Sequence, residues 1–149
     1  MEALLRRIDE QISESGGKRS KSRGHIIEAF FRSGTHVTVD DLTRDVRRKH
    51  RAVGAATVYR TLKLLVRFGY AKELDFGEGA RRYESNLSAH HDHFVCQGCG
   101  EVSEFKEPEI ESLQEHVARK HGFTPTMHRL DIYGYCRDCV PETVREGER

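Results

Sequence analysis

Four cysteines, arranged as two C-x-x-C pairs, constrain this chain more than any other feature. Cys96 and Cys99 form the first pair, and Cys136 and Cys139 form the second. Two intervening residues let both thiolates of a pair reach one tetrahedral ion, and four thiolates complete its coordination, which is the pattern of structural zinc. The alternative is a redox dithiol, which needs only one pair and usually begins a helix of a βαβ unit. The sequence predicts no such unit, so we expect a zinc ion that joins the two cysteine segments.

A run of three histidines and one aspartate, His90-His91-Asp92-His93, lies just before the first cysteine pair. On an extended strand alternate side chains share a face, so His91 and His93 point one way while His90 and Asp92 point the other. One short strand can therefore supply two metal sites, and its mixture of nitrogen and oxygen ligands suits Fe(II), Mn(II) or Zn(II). The competing interpretation is a solvated loop with chance histidines. Candidate partners, each uninformative alone, are Glu84, Glu104, Glu111, His128 and His36.

The first half predicts helices followed by a β-hairpin. Apolar spacing and capping signals indicate helices over residues 1–15, 20–33, 39–50 and 55–68, with Thr38 as the N-cap of the third. Strands over 70–76 and 80–84 flank Gly77-Glu78-Gly79, which is a hairpin signal. Three helices and a hairpin make a winged helix-turn-helix, and the first helix is an addition to it.

The second half predicts a small α/β domain. Strands over 93–96 and 102–105 flank a glycine-containing turn, and Pro108 lies in the first turn of a helix that reaches Lys120. A further strand is predicted over 123–133, with a bend near Pro125. The predicted fold class of the whole chain is therefore α+β, a winged helix-turn-helix followed by a small zinc-containing α/β domain.

Charge divides the chain in the same way as these patterns. Residues 1–85 hold 18 Lys and Arg against 12 Asp and Glu, whereas residues 86–149 hold 7 against 12. A basic half attracts phosphate backbones, and an acidic half that contains all four cysteines and six of the nine histidines suits cations. Modest charge differences are common between domains, so this one carries weight only because each half has the motif that its charge suits.

Several functional classes are disfavoured. The sequence has no apolar run long enough to span a bilayer, and its amphipathic start, MEALLRRIDEQ, lacks the apolar core of a signal peptide, so we predict a cytoplasmic protein with no membrane partner. A metalloenzyme is the main alternative class, but no HExxH or similar signature is present and the first half would have no role. A zinc-ribbon interaction module would leave the histidine run unexplained. We expect no enzymatic activity and no small organic substrate.

Three segments together resemble the ferric uptake regulator family over nearly the whole chain, namely GAATVYRTLKLLVRFGYA, HHDHFVCQGCGEVSEF and YGYCRDC. The resemblance implies a homodimeric transcriptional repressor. A winged-helix DNA-binding domain would cover residues 1–86, a hinge 87–89 and a metal-binding dimerisation domain 90–149. The protein would bind operator DNA when loaded with Fe(II) or Mn(II), and would control genes of iron uptake and homeostasis.

The same resemblance assigns ligands to three metal sites. The four cysteines match the structural zinc site. A regulatory site between the domains would hold Fe(II) or Mn(II), with Zn(II) able to substitute, through His36, Glu84, His91, His93 and Glu104. A further site in the dimerisation domain would use His90, Asp92, Glu111 and His128.

Sequence details favour the iron-sensing branch of the family. Glu84 and Glu104 stand where the peroxide-sensing branch typically has aspartates, and Leu87 to Ala89 contain no cysteine of the kind that the zinc-uptake branch usually has before the histidine run. The alternative is a peroxide-sensing or a zinc- or manganese-sensing member of the same family. Gly17 and Ser20 also depart from the family's usual Leu and Thr near the N-terminal DNA contact.

DNA contacts are expected at two places. The helix that begins at Ala55 is the predicted recognition helix, because the N-terminal turns of such a helix meet base edges. Basic residues near the start of the second helix would hold the DNA backbone or enter a minor groove. The predicted DNA-binding residues are Lys18, Arg23, Thr57, Tyr59 and Arg60. For each basic residue, a solvated helix face is an equally simple interpretation.

Overall fold

The computed structural model describes residues 1–16, 18, 20–33, 36–77, 79–87 and 89–141. The chain forms two compact units, Met1–Ser88 and Ala89–Arg149. Each unit combines helix with its own three-stranded sheet, so the α+β class predicted from the sequence is confirmed. Within the described ranges, every helix is too short or too polar to cross a membrane.

The first unit is a helical bundle with a small sheet at one end. Its elements are α1 (Glu2–Glu14), α2 (Lys21–Ser33), β1 (Val37–Thr38), α3 (Val39–Lys49), α4 (Ala55–Arg67), β2 (Ala71–Leu74) and β3 (Arg82–Ser85). The sheet is antiparallel in the order β1-β3-β2, and β1 is a two-residue strand that the sequence did not predict. All four helices contribute to one apolar core, which includes Ile8, Ile26, Leu42, Val58 and Leu62.

Local signals explain where α3 and α4 lie. Thr38 caps α3 as predicted, because its Oγ1 accepts a hydrogen bond from the N–H of Asp41 at 3.1 Å and the Asp41 carboxylate accepts one from the N–H of Thr38 at 3.4 Å. Gly54 is the N-cap of α4. Thr38 and Gly54 therefore mark where α3 and α4 begin. The inner face of α4 buries Val58 and Leu62 in the core. The outer face of α4 is thereby left for solvent or a partner.

The second unit consists of β4 (Asp92–Cys96), β5 (Val102–Phe105), α5 (Pro108–Lys120) and β6 (Asp131–Gly134). The sheet order is β5-β4-β6, so β4 is central, antiparallel to β5 and parallel to β6. The predicted strand over Val102–Phe105 has these bounds in the structure. The predicted helix has Pro108 in its first turn and ends at Lys120, as expected.

The strand predicted over 123–133 is wrong for most of its length. Residues 123–130 form no strand, and only Asp131–Gly134 pairs with β4. The physical reason is that this segment buries little: Phe123 is 74% and Met127 is 86% exposed. Pro125 also lacks the N–H group that a ladder needs.

Candidate metal sites and nucleic-acid interface

The structure brings the four cysteines together. Cys96 ends β4, and Cys136 lies two residues beyond β6, its parallel neighbour in the sheet. The four sulfur atoms all lie within 4.8 Å of one another. Gly98 is required for this approach, because a Cβ atom there would lie 2.5 Å from Cβ of Cys139.

The thiols of this cluster differ in acidity. The backbone N–H of Cys136, together with other backbone N–H groups, donates to Sγ of Cys96 and lowers the pKa of this thiol to about 6. The neighbouring Cys136 and Cys99 side chains raise the pKa of Cys139 to about 12. Adjacent thiolates therefore resist full ionisation unless a cation compensates their charge. A divalent ion bound by four sulfurs does so, and this donor set fits structural zinc.

A second cluster lies within the same unit, formed by His90, Asp92, Glu111 and His128. Their ligand atoms all lie within 4.8 Å of one another. Glu111 from α5 is central: its Oε1 lies 3.2 Å from Nε2 of His90, and its Oε2 lies 3.3 Å from Nε2 of His128. Oδ1 of Asp92 lies 3.4 Å from Nε2 of His90.

This cluster has the character of a cation site. Asp92 is fully buried, and neither of its carboxylate oxygens accepts a hydrogen bond from the described part of the chain. A buried carboxylate without hydrogen bonds is costly unless a cation neutralises it. Two imidazoles and two carboxylates suit a first-row divalent metal ion, so the residues present fit the group that the sequence predicts.

We expect Asp92→Asn to lower the metal content of the purified protein by one divalent ion per chain. The metal-free variant should be at least as stable as the metal-free wild type, because asparagine removes a buried, uncompensated charge. Elemental analysis after dialysis and urea unfolding with chelator would measure the two effects. Glu109→Gln, an exposed change in the first turn of α5, is the control. Unchanged metal content in Asp92→Asn would contradict the assignment.

Three of the five predicted regulatory ligands belong to the second unit and lie near one another. Nε2 of His91 is 3.6 Å from Oε1 of Glu104, and the rings of His91 and His93 have centroids 5.0 Å apart. His93 is directly opposite Glu104 in the β4–β5 register. Nδ1 of His93 is 3.1 Å from Oδ1 of Asp131, a residue that the sequence analysis did not single out.

The other two predicted regulatory ligands belong to the first unit. Nε2 of His36 lies 3.1 Å from Oε2 of Glu84, and both side chains are buried. His36 has φ of 45°, a left-handed conformation that costs energy in a non-glycine residue and is enriched at functional sites. Nζ of Lys72 lies 3.3 Å from the second oxygen of Glu84. The first unit thus brings together two side chains that could bind a metal ion, and the second unit brings together three.

The predicted DNA contacts surround a groove of about 490 Å³ between the start of α2 and the exposed face of α4. Arg23, Thr57, Tyr59 and Arg60 line it, and Arg23 donates from Nη1 to the backbone oxygen of Lys18 at 2.9 Å, so Lys18 lies close by. Tyr59 is 48% exposed although it is a large aromatic residue. An exposed aromatic ring among arginines suits contact with nucleic acid.

Sequence reasoning missed the side chains that connect this groove to the β-hairpin. Glu73 on β2 accepts hydrogen bonds from Nζ of Lys63 on α4 at 2.6 Å and from Nη1 of Arg81 at 2.8 Å. The pKa of Glu73 is lowered from its usual value, mainly by the hydrogen bond that Lys63 donates. The opposite charges of Glu73 and Arg81 across the predicted hairpin were a usable signal. Nothing in the sequence indicated that Lys63 would join them.

Comparison with known proteins places these arrangements in context. The sequence model of the ferric uptake regulator family matches residues 14–133. The ferric uptake regulation protein of Helicobacter pylori is 33% identical over 139 residues, which are 93% of each chain. A solved structure of the Helicobacter pylori regulator, described as having three functional metal-binding sites, superposes with a TM-score of 0.86 at 33% identity and covers 93% of this chain and 92% of that one. A zinc-bound manganese uptake regulator is similar at 37% identity and a TM-score of 0.71, with coverage of 89% and 98%.

Proposed function

This chain belongs to the ferric uptake regulator family, and on that premise we propose that it is a repressor that binds operator DNA as a dimer when Fe(II) or Mn(II) occupies a regulatory site. The observation that carries the proposal is how the candidate ligands are distributed. His36 and Glu84 lie next to each other in the unit that has the basic helix face, whereas His91, His93 and Glu104 lie together in the unit that has the zinc-type cysteine cluster.

One ion bound by both sets of ligands would restrict the angle between the two units. In a two-fold dimer it would also restrict the distance between the two α4 helices, which has to match the helical repeat of DNA. Metal would then favour the DNA-competent arrangement because it binds that arrangement more tightly, and DNA would in turn tighten metal binding.

The cysteine cluster and the proposed regulatory site would have different roles. Four sulfur ligands close the coordination sphere, so the cysteine site is structural. Mixed nitrogen and oxygen ligands bind more weakly and exchange, and they accept Fe(II), Mn(II) or Zn(II). The metal that occupies the regulatory site would then depend on which ion is available in the cell. Relatives are named both as ferric and as manganese uptake regulators, in agreement with this proposal.

The apolar surface of the second unit supports a homodimer. α5 has no buried residue, and its Leu113 and Val117 are 63% and 47% exposed. On the sheet, Phe94 is 46% exposed and stacks on Phe105 with ring centroids 4.2 Å apart. Several large apolar side chains exposed on one small domain are typical of a surface that binds a partner. A second copy of the chain is the occupant that we propose.

Replacing Leu113 by lysine is expected to convert the dimer into a monomer at micromolar concentration. The substitution places a charge in an apolar interface, where it costs several kcal/mol of association free energy. Light scattering coupled to size-exclusion chromatography would measure the mass. Glu115→Lys, which introduces the same side chain on the polar side of α5, should remain dimeric. A dimeric Leu113→Lys protein would show that α5 lies outside the interface.

A metal titration of DNA binding tests the proposed function. Duplexes selected from a random pool by the Mn(II)-loaded protein would serve as the probe, and affinity would be measured by fluorescence anisotropy. We expect the dissociation constant to rise at least about tenfold when a chelator removes the exchangeable metal, a coupling free energy of about 1.4 kcal/mol or more. DNA affinity that is the same with and without metal would refute the sensor. Metal-dependent hydrolytic activity would instead favour the enzyme alternative.

A further inference from the structure

Asp131 makes two charged contacts at the start of β6. Its Oδ1 lies 3.1 Å from Nδ1 of His93, and its Oδ2 lies 2.6 Å from Nη2 of Arg129. The side chain is only 14% exposed. The backbone reinforces this arrangement, since Asp131 is the register partner of His93 and the N–H of His93 donates to the oxygen of Leu130 at 3.1 Å.

These contacts determine which ring nitrogen of His93 carries the proton. A carboxylate only accepts hydrogen bonds, so the imidazole places its proton on Nδ1 and leaves the lone pair on Nε2. A carboxylate in this position also fixes the plane of the ring and makes Nε2 a stronger donor to a metal ion. Arg129 holds the other carboxylate oxygen and thus keeps Asp131 from turning away.

The same short segment reaches the second metal cluster. His128 contributes to the cluster of His90, Asp92 and Glu111, and it stands three residues before Asp131. At the start of β4 and just before it, Asp92 and His90 contribute to that cluster and alternate in sequence with His91 and His93. Two adjacent backbone segments, residues 90–93 and 128–131, therefore link the fully buried Asp92 to the hydrogen bond that orients His93.

We propose that Asp131 is a positioning residue of the regulatory site, and that segment 128–131 transmits metal occupancy of the Asp92 cluster to His93. A cation held by His128 and Glu111 fixes the start of β6, and with it the carboxylate that orients the His93 ring. The proposal rests on the proposed function, because it takes His93 to be a regulatory ligand. It assigns a role to the second cluster beyond stability: that cluster raises the metal affinity of the regulatory site.

The first experiment isolates Asp131. It uses the full-length Glu111→Ala protein, in which the second cluster is disabled, and follows Co(II) binding by visible absorption with a competing chelator. Asp131→Ala is expected to weaken Co(II) binding about 10- to 100-fold and to shift the absorption bands, as loss of a carboxylate that orients a metal-bound histidine does. Asp131→Asn, which retains an acceptor oxygen, should recover part of the affinity. Equal Co(II) binding and spectra in all three proteins would overturn the positioning role.

The second experiment tests the coupling in protein with Glu111 intact. One added equivalent of Zn(II), beyond that bound by the cysteines, is expected to tighten Co(II) binding about fivefold or more, within the usual range for coupled sites. The enhancement should remain in Glu109→Ala, an exposed change in the first turn of α5, and disappear in Glu111→Ala and in Asp131→Ala. No enhancement in the wild type, or an equal one in Asp131→Ala, would overturn the coupling.

These results separate the inference from the proposed function. If the wild-type protein binds DNA in a metal-dependent way while Asp131→Ala binds Co(II) normally, only the inference fails. If the wild-type protein binds DNA equally with and without metal, the proposed function fails whatever Asp131 does.

Discussion

Replacing Cys96 by serine is expected to unfold the second unit while the first unit stays folded. Among the described residues of the second unit, only Val95 and Cys96 are buried apolar side chains, whereas the first unit has a continuous core. A unit with so little apolar burial needs another source of stability. Zinc supplies it, since structural zinc sites of small domains contribute roughly 10–16 kcal/mol of apparent binding free energy.

Cys96 is the most sensitive of the four cysteines because of its position. It ends the central strand, is 5% exposed, and its sulfur accepts the N–H of Cys136 at 3.2 Å across from β6. Serine would remove one sulfur ligand and leave three, which do not complete the tetrahedral site. The hydrogen bond that joins the two cysteine segments would be weakened by the same change.

Three measurements check this expectation. Zinc content should fall by one equivalent per chain, and the far-UV circular dichroism of the protein should lose the part that the second unit contributes. The dimer should also dissociate. Lys106→Ala, an exposed change just after β5, should leave all three unchanged. Treatment of the wild-type protein with a strong zinc chelator should reproduce the effects of Cys96→Ser. A folded, dimeric, zinc-free Cys96→Ser protein would refute a structural role for zinc.

Features that depend on neighbouring residues could be predicted from the sequence. Pro108 and the apolar spacing after it define α5, and Thr38 with Asp41 defines the start of α3. In the second unit His90 approaches Asp92 and His91 lies against His93, as alternation along the histidine run predicts. These features follow from helical and strand periodicity, which short stretches of sequence contain.

Features that depend on tertiary packing could not be predicted in the same way. The segment before β6 has strand-like residues but stays exposed, and nothing local indicates that only Asp131–Gly134 will pair with β4. Lys63, one of the two partners of Glu73, lies ten residues away on α4, outside the predicted hairpin. Asp131 meets His93 across 38 residues because the two strands are parallel, and parallel pairing leaves no turn signal in the sequence.

Replacement of His93 is the most direct test of the proposed metal sensor. It is 3% exposed, its Nδ1 is held by Asp131, and its ring lies against that of His91. Burial and these two contacts restrict the orientation of the imidazole ring, which an exposed histidine would sample freely. Removing it should therefore cost the proposed regulatory site a ligand whose ring is already oriented.

We expect His93→Ala to raise the Mn(II) concentration for half-maximal DNA binding at least about 100-fold, equivalent to about 2.7 kcal/mol of lost metal binding. The zinc of the cysteine cluster should be retained, because its four ligands are untouched. His116→Ala, at an exposed position on α5, is the matched control and should titrate as the wild type does. If His93→Ala also titrates as the wild type, His93 is not a ligand of the metal that controls DNA binding. If it binds DNA tightly without metal, the metal does not select the DNA-competent arrangement through this residue.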